Sequence, residues 1–132
     1  MKLDRLCGVV LAIAAPLAAQ TPLPQPDLQV LFRADSVVFR VTHEVEQPFL
    51  GVVIAALDPQ LTHYLTALPP LLTDFVVLGY GVGEGPSGYQ LPIRAALFPS
   101  GVMLYAQGVV IDPAAVLASP VRDFVLDGSA TN

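Results

Sequence analysis

His43-Glu44-Val45-Glu46 and His63 are the residues of this sequence whose types could hold a divalent ion or serve as general acid and base. An imidazole and two carboxylates make a workable ligand set, but their spacing works against convergence. In an extended strand alternate side chains point to opposite faces, so Glu44 and Glu46 share one face and His43 takes the other. A bulge, with His63 or a loop carboxylate approaching, would be needed to bring them together. Glu44 with Glu46 or Glu84 also offers the paired carboxylates of glycoside hydrolysis, but the separation that decides such chemistry cannot be read from sequence. The plainer expectation is a solvated strand end before Gln47-Pro48.

Other chemistry is weaker still. Ser36, Ser87, Ser100, Ser119 and Ser129 fall in turns or near chain ends, and none sits in a G-x-S-x-G elbow. Gly83-Glu84-Gly85-Pro86-Ser87-Gly88 has the letters of a dinucleotide-binding loop. Such a loop must open a helix whose N-terminus receives the pyrophosphate, whereas Gln90-Leu91-Pro92 reads as a strand. The glycines are therefore expected in a hairpin connection with positive φ. No catalytic residue, cofactor or metal is nominated. Tyr80 and Tyr89 flank the glycine loop and Tyr64 precedes Pro69-Pro70, so a tyrosine-lined loop edge could stack on a sugar or a peptide. Alternatively each ring covers the core with its hydroxyl in water.

The elements that must position these residues are strands. DLQVLFR at 27–33 and SVVFRVTHEV at 36–45 are rich in β-branched and aromatic residues. In the second, Val38, Arg40 and Thr42 share one face and Val37, Phe39, Val41 and His43 the other. FLGVVIAAL at 49–57 is apolar on both faces and reads as a strand covered on both sides. Asp58-Pro59 could cap a short helix or begin a packed loop, and Pro69-Pro70 ends it. Strands are expected again at 71–80, 90–97, 102–111 and 121–126, with turn chemistry at Pro99-Ser100-Gly101 and Asp112-Pro113. Seven to eight short strands and at most one short helix fit an all-β, antiparallel sandwich, jelly-roll or immunoglobulin-like, over residues 27–127. GVVI recurs at 51–54 and 108–111, which suits either a duplication or chance in so apolar a chain.

Gln107 stands in the apolar run 102–111, on one face with Met103, Tyr105 and Val109. If buried, its amide needs partners, since an unpaired one costs on the order of 1 to 3 kcal/mol. It is expected to bond the backbone of a neighbouring loop, with Asp112 and Pro113 shaping the turn that follows.

The 132 residues open with a charged start and an apolar run from Leu6 to Ala19, too short to span a bilayer as a helix. This reads as a secretory signal over 1–19, followed by a Pro-rich extended lead-in, QTPLPQP, at 20–26 with no packing role. Residues 128–132 read as a disordered tail. The expected location is periplasmic or extracellular. Of 6 basic and 11 acidic residues, Lys2, Arg5 and Asp4 fall within 1–19, which leaves 4 and 10 and a formal charge of −6. Nucleic acid is a poor partner for such a surface. Cys7 leaves with the signal, so neither a disulfide nor a thiolate metal site is expected.

Leu91-Pro92-Ile93, then Leu104 to Ala115 (LYAQGVVIDPAA), then Ala118-Ser119-Pro120-Val121-Arg122, resemble the endings of small secreted β-rich modules of planctomycete-type bacteria. Pro120 departs from that pattern, where Asn is usual. The resemblance covers about a third of the chain, involves no catalytic motif, and implies a secreted β-sandwich, alone or as the terminal module of a larger exported protein. Three functions follow in order. The first is a non-enzymatic envelope, surface or extracellular interaction module, open to self-association through an exposed edge strand. The second is a carbohydrate- or peptide-binding module using Tyr64, Tyr80 and Tyr89. The third is a metal-dependent hydrolase built on His43, Glu44, Glu46 and His63.

Overall fold

The computed structural model describes residues 25–45, 47–113 and 115–126. The expected leader, Cys7, Glu46 and the tail lie outside the described residues. Ten strands are present: β1 (Asp27–Phe32), β2 (Ser36–Thr42), β3 (Phe49–Ala56), β4 (Leu61–Thr62), β5 (Leu71–Leu72), β6 (Val76–Gly83), β7 (Tyr89–Arg94), β8 (Met103–Ile111), β9 (Val116–Ala118) and β10 (Arg122–Val125). No α-helix forms among the described residues; the only helical turns there are two short 3-10 turns, Gly85–Ser87 and Ala95–Leu97. The helix that Asp58-Pro59 could have capped is replaced by an Asx turn, Gln60 N–H donating to Asp58 Oδ1 at 2.9 Å, which leads into β4.

The strands form two antiparallel sheets, β1-β2-β7 and β10-β8-β3-β6, with β9 also on β8 and β4-β5 a separate ribbon. Hairpins β1-β2 and β3-β6 lie one in each sheet, and β7 returns to pair with β2. Of the two connectivities expected, this is the immunoglobulin-like one. Strand alternation builds the core between the sheets: Leu28, Val37, Phe39 and Val41 meet Phe49, Val53, Leu104, Ala106, Val110 and Phe124. Phe39 meets Phe124 edge-on at 5.5 Å between ring centroids, and Phe98 meets Phe124 at 5.7 Å, geometries worth about 0.5 to 1.5 kcal/mol each beyond area burial.

The second sheet is covered on its other face as well. Leu71 and Leu72 pack on Ile54, Ala56 and Val109, with Phe75, Tyr105 and Val116 around them. This explains why β3 and β8 are apolar in continuous runs. The two GVVI segments turn out to be antiparallel neighbours, Gly51 opposite Val110 and Val53 opposite Gly108.

Three expectations need correction. The run 71–80 is not one strand: Asp74, at φ 54°, breaks it into β5 and β6, and β6 continues through the glycines to Gly83. The stretch 112–120, expected as a turn region, contains β9. The lead-in has a packing role at its end, because Pro26 is fully buried and Gln25 Nε2 donates to the Ala118 carbonyl at 3.4 Å.

Candidate functional site

Gln107 and Ser119 form a buried polar node between β8, β9 and the segment covering the sheet. Gln107 Nε2 donates to the carbonyls of Ser119 (3.1 Å) and Pro70 (3.3 Å), and Gln107 Oε1 accepts from Leu72 N–H (3.1 Å). Ser119 Oγ accepts from Gly108 N–H at 2.9 Å and donates to the Pro120 carbonyl at 2.8 Å. The amide thus fixes the 57–75 segment against β8, as the apolar run around it required. Its donors are both used within the protein, which makes it a structural clasp.

His43 is buried and meets Phe49 edge-on, with ring centroids 5.7 Å apart. Its Nε2 lies 3.7 Å from Asp112 Oδ2, too far for a hydrogen bond, and its Nδ1 has no hydrogen-bond partner among the described residues. Asp112 caps its own turn, accepting Ala115 N–H on Oδ1 at 2.9 Å, while Pro113 is exposed in that turn. Glu44 is exposed beside His43, Glu46 lies outside the described residues, and His63 is exposed next to β4. No group of three His, Cys, Asp or Glu side chains converges among the described residues. A neighbouring open groove is lined by Gln29, Arg40, Thr42, His43 and Glu44, with Arg40 Nη1 donating to Gln29 Oε1 at 3.2 Å.

The expected tyrosine-lined loop edge does not form, because strand alternation sends the three rings to different places. Tyr64 pins the covering segment: its hydroxyl donates to the Leu72 carbonyl at 3.1 Å and accepts from Asp74 N–H at 3.0 Å. Tyr89, on β7, points inward beneath Gly51 and Gly81, and burial raises its hydroxyl pKa above the ordinary value. Tyr80, on β6, points outward and is 71% exposed.

That outward face of β6 is what the sequence reading missed. Gly79, Gly81 and Gly83 face inward, where a Cβ on Gly81 would lie 2.6 Å from the Tyr89 ring and one on Gly79 2.8 Å from Leu91. The absent side chains let β7 lie close over the edge of the second sheet. Leu78 is an extra residue in β6 at the register shift, since Val53 pairs with Gly79 and Ile54 with Val77. It packs inward on the core, and Val77, Tyr80 and Val82 are left outside. Cross-strand pairing then lines up Val82, Leu50 and Ile111 in one row and Tyr80, Val52 and Val109 in the next. Leu50, Ile111, Tyr80, Val82 and Val77 are exposed, beyond the reach of the 57–75 cover.

β6 is also a sheet edge with no further strand beside it among the described residues. Its eight residues, VVLGYGVG, carry no charge and no proline. Two of the other edges carry proline or charge along their length. β7 carries Pro92 and Arg94, and the opposite side of the second sheet carries Pro120, Arg122 and Asp123. Arg122 also covers the start of the β1 edge, donating to the Leu28 carbonyl (3.0 Å) and Asp27 Oδ1 (2.7 Å), while Gln29 to Phe32 carry neither proline nor charge. No family model matches the chain, and no curated protein or solved structure matches it. Among the described residues no helix is long and apolar enough to cross a membrane.

Proposed function

We propose that the protein acts by contact, as an exported interaction module of the cell envelope or extracellular space whose working surface is the β6 edge and the apolar rows beside it. The observation that carries this reading is the unguarded edge. An eight-residue edge strand with no further strand beside it among the described residues, no charge and four exposed large side chains is a template for strand addition. Main-chain pairing would supply affinity, and Tyr80, Val82 and Leu50 would supply the contact that selects a partner. A protein partner suits this surface better than a glycan, because its exposed side chains are apolar except for the Tyr80 hydroxyl. Export is supported by the leader-like start and by the resemblance of the C-terminal third to secreted modules.

The test is a photo-reactive side chain placed at Val82 or, as a control, at Arg94 on the β7 edge, in the cells that make the protein. Position 82 is expected to give discrete covalent adducts and position 94 none. Absence of adducts at 82, or equal labelling at both, contradicts the proposal.

A further inference from the structure

We infer that the partner at the β6 edge is a second copy of this chain, joined β6 to β6 as antiparallel neighbours about a two-fold axis. This rests on the contact-surface reading above and names its partner. Charge limits where two copies can meet. Outside 1–19 the chain carries ten acidic residues and four basic ones, so two copies repel one another over most approaches. Along β6 a copy can pair over residues 79–83 without burying a charged side chain of either sign, with Glu84 at the border of that stretch and Asp74 well outside it. A cationic partner would find no acidic side chain along the strand itself.

The strand is also self-complementary. In a two-fold antiparallel pair, residues that share a face on one strand meet residues of the same face on the other. With the axis at Gly81, Tyr80 stands across from Val82 of the second copy, and the reverse, giving two aromatic–aliphatic pairs of the kind that stabilise sheets. On the inner side Gly79 meets Gly83 of the second copy, so no side chains collide there. The apolar rows Val82-Leu50-Ile111 and Tyr80-Val52-Val109 would continue across the axis as one stripe.

The paired stretch is short. With the axis at Gly81 the stretch of β6 paired with its copy runs over residues 79–83, about 16 Å of edge at roughly 3.3 Å per residue. Tyr80 contributes on the order of 150 Å² of ring surface and the valines and Leu50 extend it. A contact of this length falls at the low end of specific interfaces, which suits a weak, concentration-dependent dimer.

The experiment is sedimentation velocity on the purified chain up to about 100 µM, with Val82→Lys and the opposite-edge control Val125→Lys beside it. The expected result is a concentration-dependent doubling of mass that Val125→Lys keeps and Val82→Lys loses, its dimer fraction falling at least about tenfold while its melting temperature is unchanged. A dimer that persists in Val82→Lys overturns the inference by placing the interface elsewhere. A chain that stays monomeric also overturns it, and the photo-adducts at position 82 then separate the two readings. Adducts with another protein keep the contact surface and remove the second copy, and no adducts remove both.

Discussion

The two edges of the second sheet face the same solvent with opposite sequences. One is assembled from short pieces, Val116–Ala118 and Arg122–Val125, broken at Ser119-Pro120-Val121, with Arg122 and Asp123 opening the second piece. The other is β6, eight residues with one bulge at Leu78 and neither charge nor proline. Breaks, prolines and charges are the ordinary means by which edges are kept from pairing with other chains. The difference teaches that this molecule blunts the edge at β9-β10, whereas β6 has glycine only where the inner packing of Tyr89 and Leu91 demands it, and apolar side chains where solvent or a partner must cover them.

The contrast can be broken or sharpened by substitution. The largest effect is expected on the guarded side. Gln107→Leu leaves Leu72 N–H and the Ser119 and Pro70 carbonyls without their partner, a loss on the order of 2 to 3 kcal/mol, read as a fall in melting temperature of roughly 10 °C by calorimetry. An unchanged melting temperature would show that the covering segment is held by apolar contact alone. Next, Gly81→Val puts a branched side chain against the Tyr89 ring and should cost about 1 to 3 kcal/mol in chemical denaturation. If it is neutral, the glycines of β6 serve some purpose other than close approach.

Arg122→Ala removes a half-exposed ion pair with Asp27 and frees the Leu28 carbonyl, so its stability change should stay within about 1 kcal/mol. Its sharper readout is association: β1 loses its clasp, and weak new self-contact appearing in this variant would show that Arg122 guards an edge. The smallest effect concerns pH. Burial raises the Tyr89 pKa above that of the unfolded chain, so the neutral form is favoured by folding. Its contribution is fully present below about pH 10 and is lost as pH rises further through the folded value. Tyr89→Phe should flatten that alkaline decline in thermal melts, and a decline of equal depth in the variant would assign it to other groups.

Much of this arrangement is legible in the residues themselves. The alternation in 36–45 places Val37, Phe39 and Val41 in the core, and the double-sided runs at 49–57 and 102–111 announce strands with both faces covered. Gln107 in such a run all but requires the bonds it makes. The β6 edge is not legible in the same way. Glycine weakens any strand reading, and GYGVGEGPSG looks like a loop until Tyr89 and Leu91, from the next strand, are seen lying over it. Tyrosine positions mislead for a related reason: the sequence shows Tyr80 and Tyr89 flanking one loop, but strand pleating sends one outward and the other beneath the sheet.

The central claim, that contact is made at β6 and not at β9-β10, is tested most directly by amide hydrogen exchange on dilute and concentrated protein. The account predicts that residues 79–83 gain protection on concentration while residues 122–125 exchange at the same rate in both samples. Protection gained at 122–125, or no change along β6 in samples that have associated, would contradict it.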